Sequence, residues 1–223
     1  MKKYKLFSFL FLIISLPLAG SSIVKYYHNL DMHIRGYSPL VYHNGRWKLK
    51  TGDHSYNNAV IVDIKNGFLE ISHPVFKYRS LRLVLYIDNK KRVTLGVTKW
   101  LSKSKKYRTT RFYRKKGDEW TDITKDILPV FYLKPFLKAK YSNKVFAVID
   151  KRIDWQQSLT GYDFYCLKLP RFGTKVQVYP NKDFFSQIKK HDFLKIKNVH
   201  NNINYTKKLY MIWNMKQGKF KLL

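Results

Sequence analysis

The 223-residue sequence is poor in acidic residues, cysteine and long apolar runs, and each shortage excludes a class of protein. Asp and Glu number 14 against 44 Lys and Arg, and only Glu70 and Glu119 are glutamates. A glycosidase with paired glutamates would have to use both or turn to Asp. Cys166 is the only cysteine, so no intramolecular disulfide can form. Its apolar neighbours favour a buried small side chain over a catalytic thiol.

Catalytic motifs are also missing from the sequence. None of the histidines lies in a Gly-x-Ser-x-Gly, His-Glu-x-x-His or Cys-x-x-Cys setting, and no Gly-rich phosphate loop is present. We therefore assign no catalytic residue, no metal ligand and no cofactor. A periplasmic or secreted hydrolase stays open as an alternative, for example a metal-independent nuclease that uses His and Lys.

The N-terminus has the three-part plan of a secretory signal peptide. Basic residues at positions 2, 3 and 5 precede an apolar run at residues 6–16, and Pro17 and small residues follow. The run is shorter than the roughly 20 residues of a bilayer span. We expect a signal peptide over residues 1–21, export to the periplasm or the outside, and no transmembrane span after cleavage. The alternative is an uncleaved anchor that continues through Ile23 and Val24.

Residues 23–37 give mixed signals. His28, Asp31 and His33 lie close together, but their spacing matches no strong metal-binding pattern. We expect a solvated linker behind the cleavage site rather than a metal site.

Strand–turn–strand patterns predict a mainly β fold with minor helix. Four such hairpins turn at Asn44-Gly45, Asn66-Gly67, Gly117 and Gln217-Gly218. Residues 81–87 are nearly all apolar, as in a central strand buried on both faces. A short helical turn is expected over residues 121–128, stopped by Pro129. The hairpins suit two small antiparallel β-units, an open sandwich or a propeller-like arrangement.

We expect two units along the chain. Residues 22–142 form a unit rich in β-hairpins, and residues 143–223 form a second β-rich unit, which alternatively continues the first as one domain. Strands are expected at residues 144–150, 162–169 and 174–179, whereas residues 184–199 are ambiguous.

The net charge of +30 indicates a surface that attracts polyanions. Residues 77–116 contain 15 basic residues and one acid, which is a net charge of +14. Aromatic residues between cations are typical of grooves that bind single-stranded nucleic acid. We predict a binding surface formed by Lys103, Lys105, Lys106, Tyr107, Arg108, Arg111, Tyr113, Arg114, Lys115 and Lys116. For Phe112 itself we predict packing in a core beneath this face. Two alternatives to binding stay open: the face is merely solvated, or the charge reflects an AT-rich genome.

Two segments resemble the hairpins of FG-GAP or VCBS-type repeats. They are RFYRKKGDEWTDIT at residues 111–124 and MIWNMKQGKF at residues 211–220. Gly117 and the run Trp120-Thr121-Asp122-Ile123-Thr124 fit the repeat's order, and Gly218 and Phe220 fit part of it. The resemblance implies β-hairpin repeats of an exported or surface protein. The family's calcium loop is absent, so calcium binding is not implied, and three or four copies are too few to close a typical propeller.

The sequence therefore predicts an exported, non-enzymatic binding protein. Its partner would be an anionic envelope or extracellular polymer, and composition does not distinguish nucleic acid, lipopolysaccharide and acidic glycan. A protein-interaction module is a further alternative, in which exposed Trp and Tyr would form a patch.

Overall fold

The computed structural model describes residues 20–50, 59–72, 80–100, 108–129, 134–136, 138, 165–182 and 203–223. The elements in chain order are α1 (Gly20–His28), α2 (Met32–Arg35), β1 (Leu40–His43), β2 (Arg46–Leu49), β3 (Ala59–Asp63), β4 (Phe68–Ser72), β5 (Ser80–Ile87), β6 (Val93–Trp100), β7 (Arg108–Lys116), β8 (Glu119–Asp122), α3 (Thr124–Ile127), a 3₁₀ turn (Lys134–Phe136), β9 (Tyr165–Lys168), β10 (Lys175–Pro180), β11 (Leu209–Asn214) and β12 (Lys219–Leu222).

These elements confirm the predicted mainly β fold with minor helix. The strands form three antiparallel sheets: the hairpin β1–β2, a six-stranded sheet in the order β3 to β8, and a four-stranded sheet in the order β12-β11-β10-β9. The sheets are open rather than closed into a barrel. Three of the strands predicted from sequence, β5, β9 and β10, lie where expected.

The large sheet is a meander in which every strand pairs with its neighbour in sequence. Short loops favour this arrangement because antiparallel neighbours need only a tight turn between them. In β5, Leu81 and Leu83 point to one face while Val84 and Tyr86 point to the other, and all four are buried. The apolar run at residues 81–87 is therefore the central strand that it was predicted to be.

The predicted hairpin turns differ in length. Asn44 and Gly45 have φ values of 49° and 73°, which confirms the two-residue turn between β1 and β2. The loop between β3 and β4 instead spans four residues, 64–67, so the predicted Asn66-Gly67 turn is its second half. The Asp63 carboxylate accepts a hydrogen bond from the Asn66 backbone N–H at 3.2 Å. This side-chain bond replaces a backbone bond and stabilises the longer loop.

The expectation of a solvated linker at residues 23–37 was wrong. Ile23, Tyr27, Leu30 and Ile34 are buried in α1, α2 and the connection between them, and they cover the Leu69 side of the large sheet. Their spacing of four, three and four residues is that of one helical face. This periodicity was present in the sequence, but the polar residues between these positions obscured it.

Polar bonds hold this N-terminal layer in place. The Trp120 indole N–H donates to the Asn29 carbonyl at 2.9 Å, and the Lys99 ammonium donates to the His33 carbonyl at 2.6 Å. The His28 Nε2 atom accepts a bond from the Leu40 backbone N–H at 3.1 Å. His28 therefore supports the start of β1.

The second face of the large sheet packs against the four-stranded sheet. The core between them is rich in aromatic side chains, and its rings include Tyr86, Phe112, Trp213 and Phe220, with centroids of neighbouring rings 5.0–6.1 Å apart. Aromatic rings bury large areas and prefer such tilted or edge-to-face contacts. Phe112 is therefore a core residue, which confirms the prediction that it packs beneath the basic face.

The strands of the two sheets cross. Near the end of β5, Tyr86 contacts Trp213 and Phe220 from β11 and β12. Near its start, Arg82 donates a hydrogen bond to the Leu169 carbonyl just beyond β9. The two ends of β5 therefore contact opposite edges of the smaller sheet.

The sheets touch through their loops at one end of β5. Asp88 follows β5 and is only 3% exposed. Its carboxylate accepts hydrogen bonds from the backbone N–H groups of Lys90 and Arg92, both at 2.9 Å, and from the Arg92 Nε at 2.7 Å. Gly218 in the β11–β12 loop lies against this carboxylate, since a Cβ atom there would be 2.8 Å from its Oδ2.

Several predictions concern other parts of the chain. Residues 1–19 of the predicted signal peptide, the predicted strand at residues 144–150, the unit boundary near residue 142 and residues 184–199 lie outside the described residues, whereas residues 20 and 21 of that predicted peptide belong to α1. In the part of the chain that is described, no helix is both long and apolar enough to span a bilayer.

Candidate functional site

Part of the binding surface predicted from sequence lies outside the described residues. Lys103, Lys105, Lys106 and Tyr107 precede β7 in that part of the chain, and Arg108 begins β7, where its backbone pairs with Trp100. The predicted surface as a whole stays a prediction.

The described members of that surface lie on both faces of β7. Tyr113 is half-buried in the core between the large sheet and the helices α1 and α2. Arg111 lies 3.9 Å from the Asp122 carboxylate. Arg114 points to the other face, where its Nη2 donates to the Thr94 hydroxyl at 2.8 Å. Burial, together with the nearby Arg92 charge, lowers the pKa of Arg114.

The exposed end of the β7–β8 hairpin holds Lys115 and Lys116, the other two described members of the predicted surface. The Lys115 ammonium donates to Asp118 at 3.1 Å, and Lys116 is exposed. Since side chains alternate along a strand, the structure does not gather Arg111, Arg114 and Lys116 into one continuous groove.

A second basic surface, which the sequence analysis did not single out, lies on the outer side of the four-stranded sheet. Val176, Val178, Met211, Trp213 and Phe220 point inward to the core. The alternate residues of the same strands therefore point outward. We call this surface the lysine face, and its members are Lys168, Lys175, Gln177, Tyr210, Ile212, Lys219 and Lys221.

The lysine face is positively charged, and no described residue compensates its charge. None of its members is acidic, and within the described residues none of its four lysines forms an ion pair. The Lys175 ammonium lies 4.3 Å from the centroid of the Tyr210 ring, so the ring's π face holds this cation over the sheet. Tyr210 and Ile212 are each 37% exposed. Cations and partly exposed apolar side chains therefore share one surface.

A cleft of about 380 Å³ adjoins the lysine face. The large sheet supplies one wall and the β9–β10 hairpin the other. The lining residues are Ile61, Phe68, Glu70, Arg82, Lys168, Leu169, Pro170, Arg171, Lys175 and Gln177. Lys168, Lys175 and Gln177 belong to both features, so the cleft and the lysine face are continuous.

Arg82 forms the base of the cleft. Its Nε and Nη2 atoms both donate to Glu70 Oε2, at 3.2 and 2.9 Å, and its Nη1 donates to the Leu169 carbonyl at 3.2 Å. Its guanidinium lies 5.6 Å from the centroid of the buried Phe68 ring. A basic residue in an otherwise apolar central strand requires such partners, because an uncompensated charge is costly to bury.

Arg171 borders the cleft in the β9–β10 loop. Its Nε donates to Asp63 Oδ2 at 3.0 Å, and its guanidinium lies 5.2 Å from the ring of Phe172. Burial alone would raise the pKa of Asp63, but hydrogen bonds from Arg171 and Asn66 outweigh it and lower that pKa below 3.8. Asp63 therefore stays charged at neutral pH and fixes the loop against β3.

The arginines of the cleft pair with carboxylates in the described part of the chain. The two described carboxylates near the cleft, Glu70 and Asp63, are each held by an arginine, and no histidine is among the described lining residues. Across the described residues, no group of three His, Cys, Asp or Glu side chains is placed to hold a metal ion.

Two signals in the sequence could have identified this site. The strand expected at residues 174–179 places Val176 and Val178 on one face, and therefore Lys175 and Gln177 on the other. Arg82 interrupts the apolar run at residues 81–87, and an arginine there needs a partner; Glu70 is one of only two glutamates.

Comparison with solved structures gives a remote structural likeness. No protein-family model matches the chain, and no curated protein matches its sequence. A domain of an uncharacterized protein from Porphyromonas gingivalis W83 is similar in structure, with a TM-score of 0.44 and 10% sequence identity, over 75% of this chain and 81% of that one.

Proposed function

We propose that this protein is an exported, non-enzymatic binding protein for an anionic polymer, and that the lysine face is its contact surface. The observation that supports the proposal is the set of four lysines around Tyr210 and Ile212, none of which has an acidic partner among the residues that the structure describes. An anionic polymer releases counterions when such cations neutralise its charges, and this release favours binding.

The geometry of the face supports a polymer rather than a single small anion. The lysines stand on three of the four neighbouring strands, β9, β10 and β12, and strands lie about 4.8 Å apart. The cations therefore extend over roughly 15 Å across the sheet. A chain with repeated negative charges can contact several of them at once.

The proposal is tested by removing the charge of the face. A variant with Lys168→Gln, Lys175→Gln, Lys219→Gln and Lys221→Gln should lose at least about tenfold in affinity for heparin, because each exposed ion contact contributes a few tenths of a kcal/mol or more. Elution from a heparin column and isothermal titration calorimetry measure this loss.

The matched control removes four exposed lysines elsewhere: Lys48, Lys50, Lys65 and Lys125, each changed to Gln. It lowers the net charge by the same amount and should retain most of the affinity. Equal losses in the two variants would show that diffuse charge, not the face, binds heparin. Elution of the unaltered protein below about 0.15 M salt, the physiological ionic strength, would remove the proposal altogether.

Export is tested separately. Residues 1–30 fused to alkaline phosphatase, an enzyme active only outside the cytoplasm, should give an active fusion in a bacterial host. An inactive fusion that is stably produced would contradict export while leaving the binding proposal intact.

A further inference from the structure

We infer that the polymer is an acidic glycan and that the cleft binds one of its sugar rings, a ring that carries hydroxyl groups and an anionic substituent. This inference rests on the proposed function and specifies its ligand. The cleft opens directly onto the lysine face through Lys168, Lys175 and Gln177, so one chain can occupy both.

The size of the cleft suits a small cyclic unit. Small-molecule sites in proteins range from about 300 to 1,000 Å³, and this cleft of about 380 Å³ lies near the lower end. Its walls combine a few convergent polar groups with the apolar side chains of Ile61, Leu169 and Pro170. A sugar ring has the same division, with hydroxyl groups around its edge and C–H groups on its faces.

Glu70 supplies an acceptor that a hydroxyl group can use. Both hydrogen bonds from Arg82 go to the Oε2 atom of Glu70, and Oε1 accepts none among the described residues. Gln177, half-buried on the opposite wall, adds an amide with two donor hydrogens and an acceptor oxygen. A sugar hydroxyl both donates and accepts, so it can pair with each of these groups.

The same groups disfavour a nucleic acid in the cleft. A phosphodiester has no hydrogen to donate to Glu70, whereas a sugar hydroxyl has one. Base stacking requires an open ring face. The Phe68 ring is only 2% exposed and has the guanidinium groups of Arg82 and Arg171 5.6 and 6.0 Å from its centroid.

The other rings near the cleft also have a cation beside them. Phe172 has the Arg171 guanidinium 5.2 Å from its centroid, and Tyr210 has the Lys175 ammonium at 4.3 Å. Lys168 and Lys175 at the edge of the cleft have no acidic partner in the described part of the chain. They are placed to pair with a carboxylate or phosphate on the bound ring, while the polymer continues towards Lys219 and Lys221.

The inference is tested with three defined probes: trigalacturonate, the neutral sugar maltotriose, and the oligonucleotide dT4, which carries three phosphodiester charges. Trigalacturonate should bind at least tenfold more tightly than either of the others in isothermal titration calorimetry. The Gln177→Ala and Glu70→Gln variants should each weaken trigalacturonate binding fivefold or more, and should weaken heparin binding by a smaller factor, because the lysines of the face also hold heparin. Unchanged circular dichroism would confirm that both variants are folded.

The reciprocal control is the double variant Lys219→Gln and Lys221→Gln, which should weaken heparin binding by a larger factor than trigalacturonate binding, because most contacts of the short glycan lie in the cleft. Equal or tighter binding of dT4 would overturn the inference in favour of a nucleic acid. If maltotriose binds as tightly as trigalacturonate, the anionic substituent plays no part in binding and that part of the inference is wrong. If heparin binds but trigalacturonate does not, the cleft assignment fails and the proposed function survives; if heparin does not bind, the proposed function fails.

Discussion

The two ends of β5 accommodate a charged residue in different ways. Asp88 at one end is almost completely buried, and its own loop supplies its hydrogen-bond donors. Arg82, about 20 Å away along the strand, takes its acidic partner from β4, the neighbouring strand. The loops of the two sheets meet at the first end, whereas a cleft lies between the sheets at the second.

The difference follows from the reach of the two side chains. A short carboxylate can be satisfied by the backbone N–H groups of the turn that follows it, so another loop can pack directly against it. A long arginine carries its charge away from the strand and needs partners at that distance. Close packing at one end and an open site at the other thus arise from the residue type at each end.

The largest expected effect on stability is at the Asp88 end of β5, where the loops of the two sheets meet. Gly218→Ala should lower the free energy of unfolding by about 3 kcal/mol, since an alanine at a φ of 63° is strained and its Cβ would lie 2.8 Å from the Asp88 carboxylate. Urea unfolding measures the loss. Gly117→Ala is the matched control: its φ is 62° with nothing within 4 Å, so about 1 kcal/mol is expected. Equal losses would mean that the contact with Asp88 contributes nothing.

A smaller effect is expected from the carboxylate itself. Asp88→Asn should cost about 2 kcal/mol at pH 7, because it removes charge-assisted hydrogen bonds from a buried group. Burial alone would raise the pKa of Asp88, but the hydrogen bonds and charge of Arg92 and the Lys90 N–H outweigh it and lower that pKa below 3.8.

The sign of the pH dependence follows from this lowered pKa. The stabilisation by Asp88 is complete above its unfolded pKa of about 3.9 and is lost as the pH falls through the lower folded value. The difference in unfolding free energy between the unaltered protein and the Asp88→Asn variant should therefore shrink below about pH 4. A difference that stays constant down to pH 2 would contradict the assigned role of the carboxylate.

The smallest effect on stability is expected at the Arg82 end of β5, beside the cleft. A double-mutant cycle with Arg82→Met and Glu70→Gln should give a coupling of about 1 kcal/mol, because the pair is partly buried and its bonds share one carboxylate oxygen. The same cycle with Arg171→Met and Asp63→Asn should give less, since Arg171 is about half exposed. A larger coupling at Arg171 than at Arg82 would reverse this order.

The strands could be predicted from the sequence because their signals are local. Asn44-Gly45 specifies a two-residue turn, and the apolar run at residues 81–87 specifies a strand buried on both faces. The loop at residues 64–67 was mistaken for a two-residue turn because the contribution of Asp63 is a side-chain bond that the dipeptide pattern does not show. The N-terminal layer was missed because the spacing of Ile23, Tyr27, Leu30 and Ile34 was not counted as a helical face.

The site could be predicted only in part. The sequence showed that the protein is strongly basic, and the residues from Lys103 to Lys116 stay a prediction of where that charge acts. It did not show that Lys168 and Lys175 adjoin Glu70 and Arg82, which are about 90 residues away along the chain. No local pattern encodes how two sheets meet.

The sequence by itself determined the mainly β class, the central strand and the positive charge, since each depends on composition or on periodicity within a short window. The tertiary structure alone decided which side of the four-stranded sheet faces water, where its lysines lie relative to the cleft, and which end of β5 is closed. The physical reason is that the packing of one sheet on another is set by the sizes and hydrogen-bonding needs of residues that are far apart in the chain.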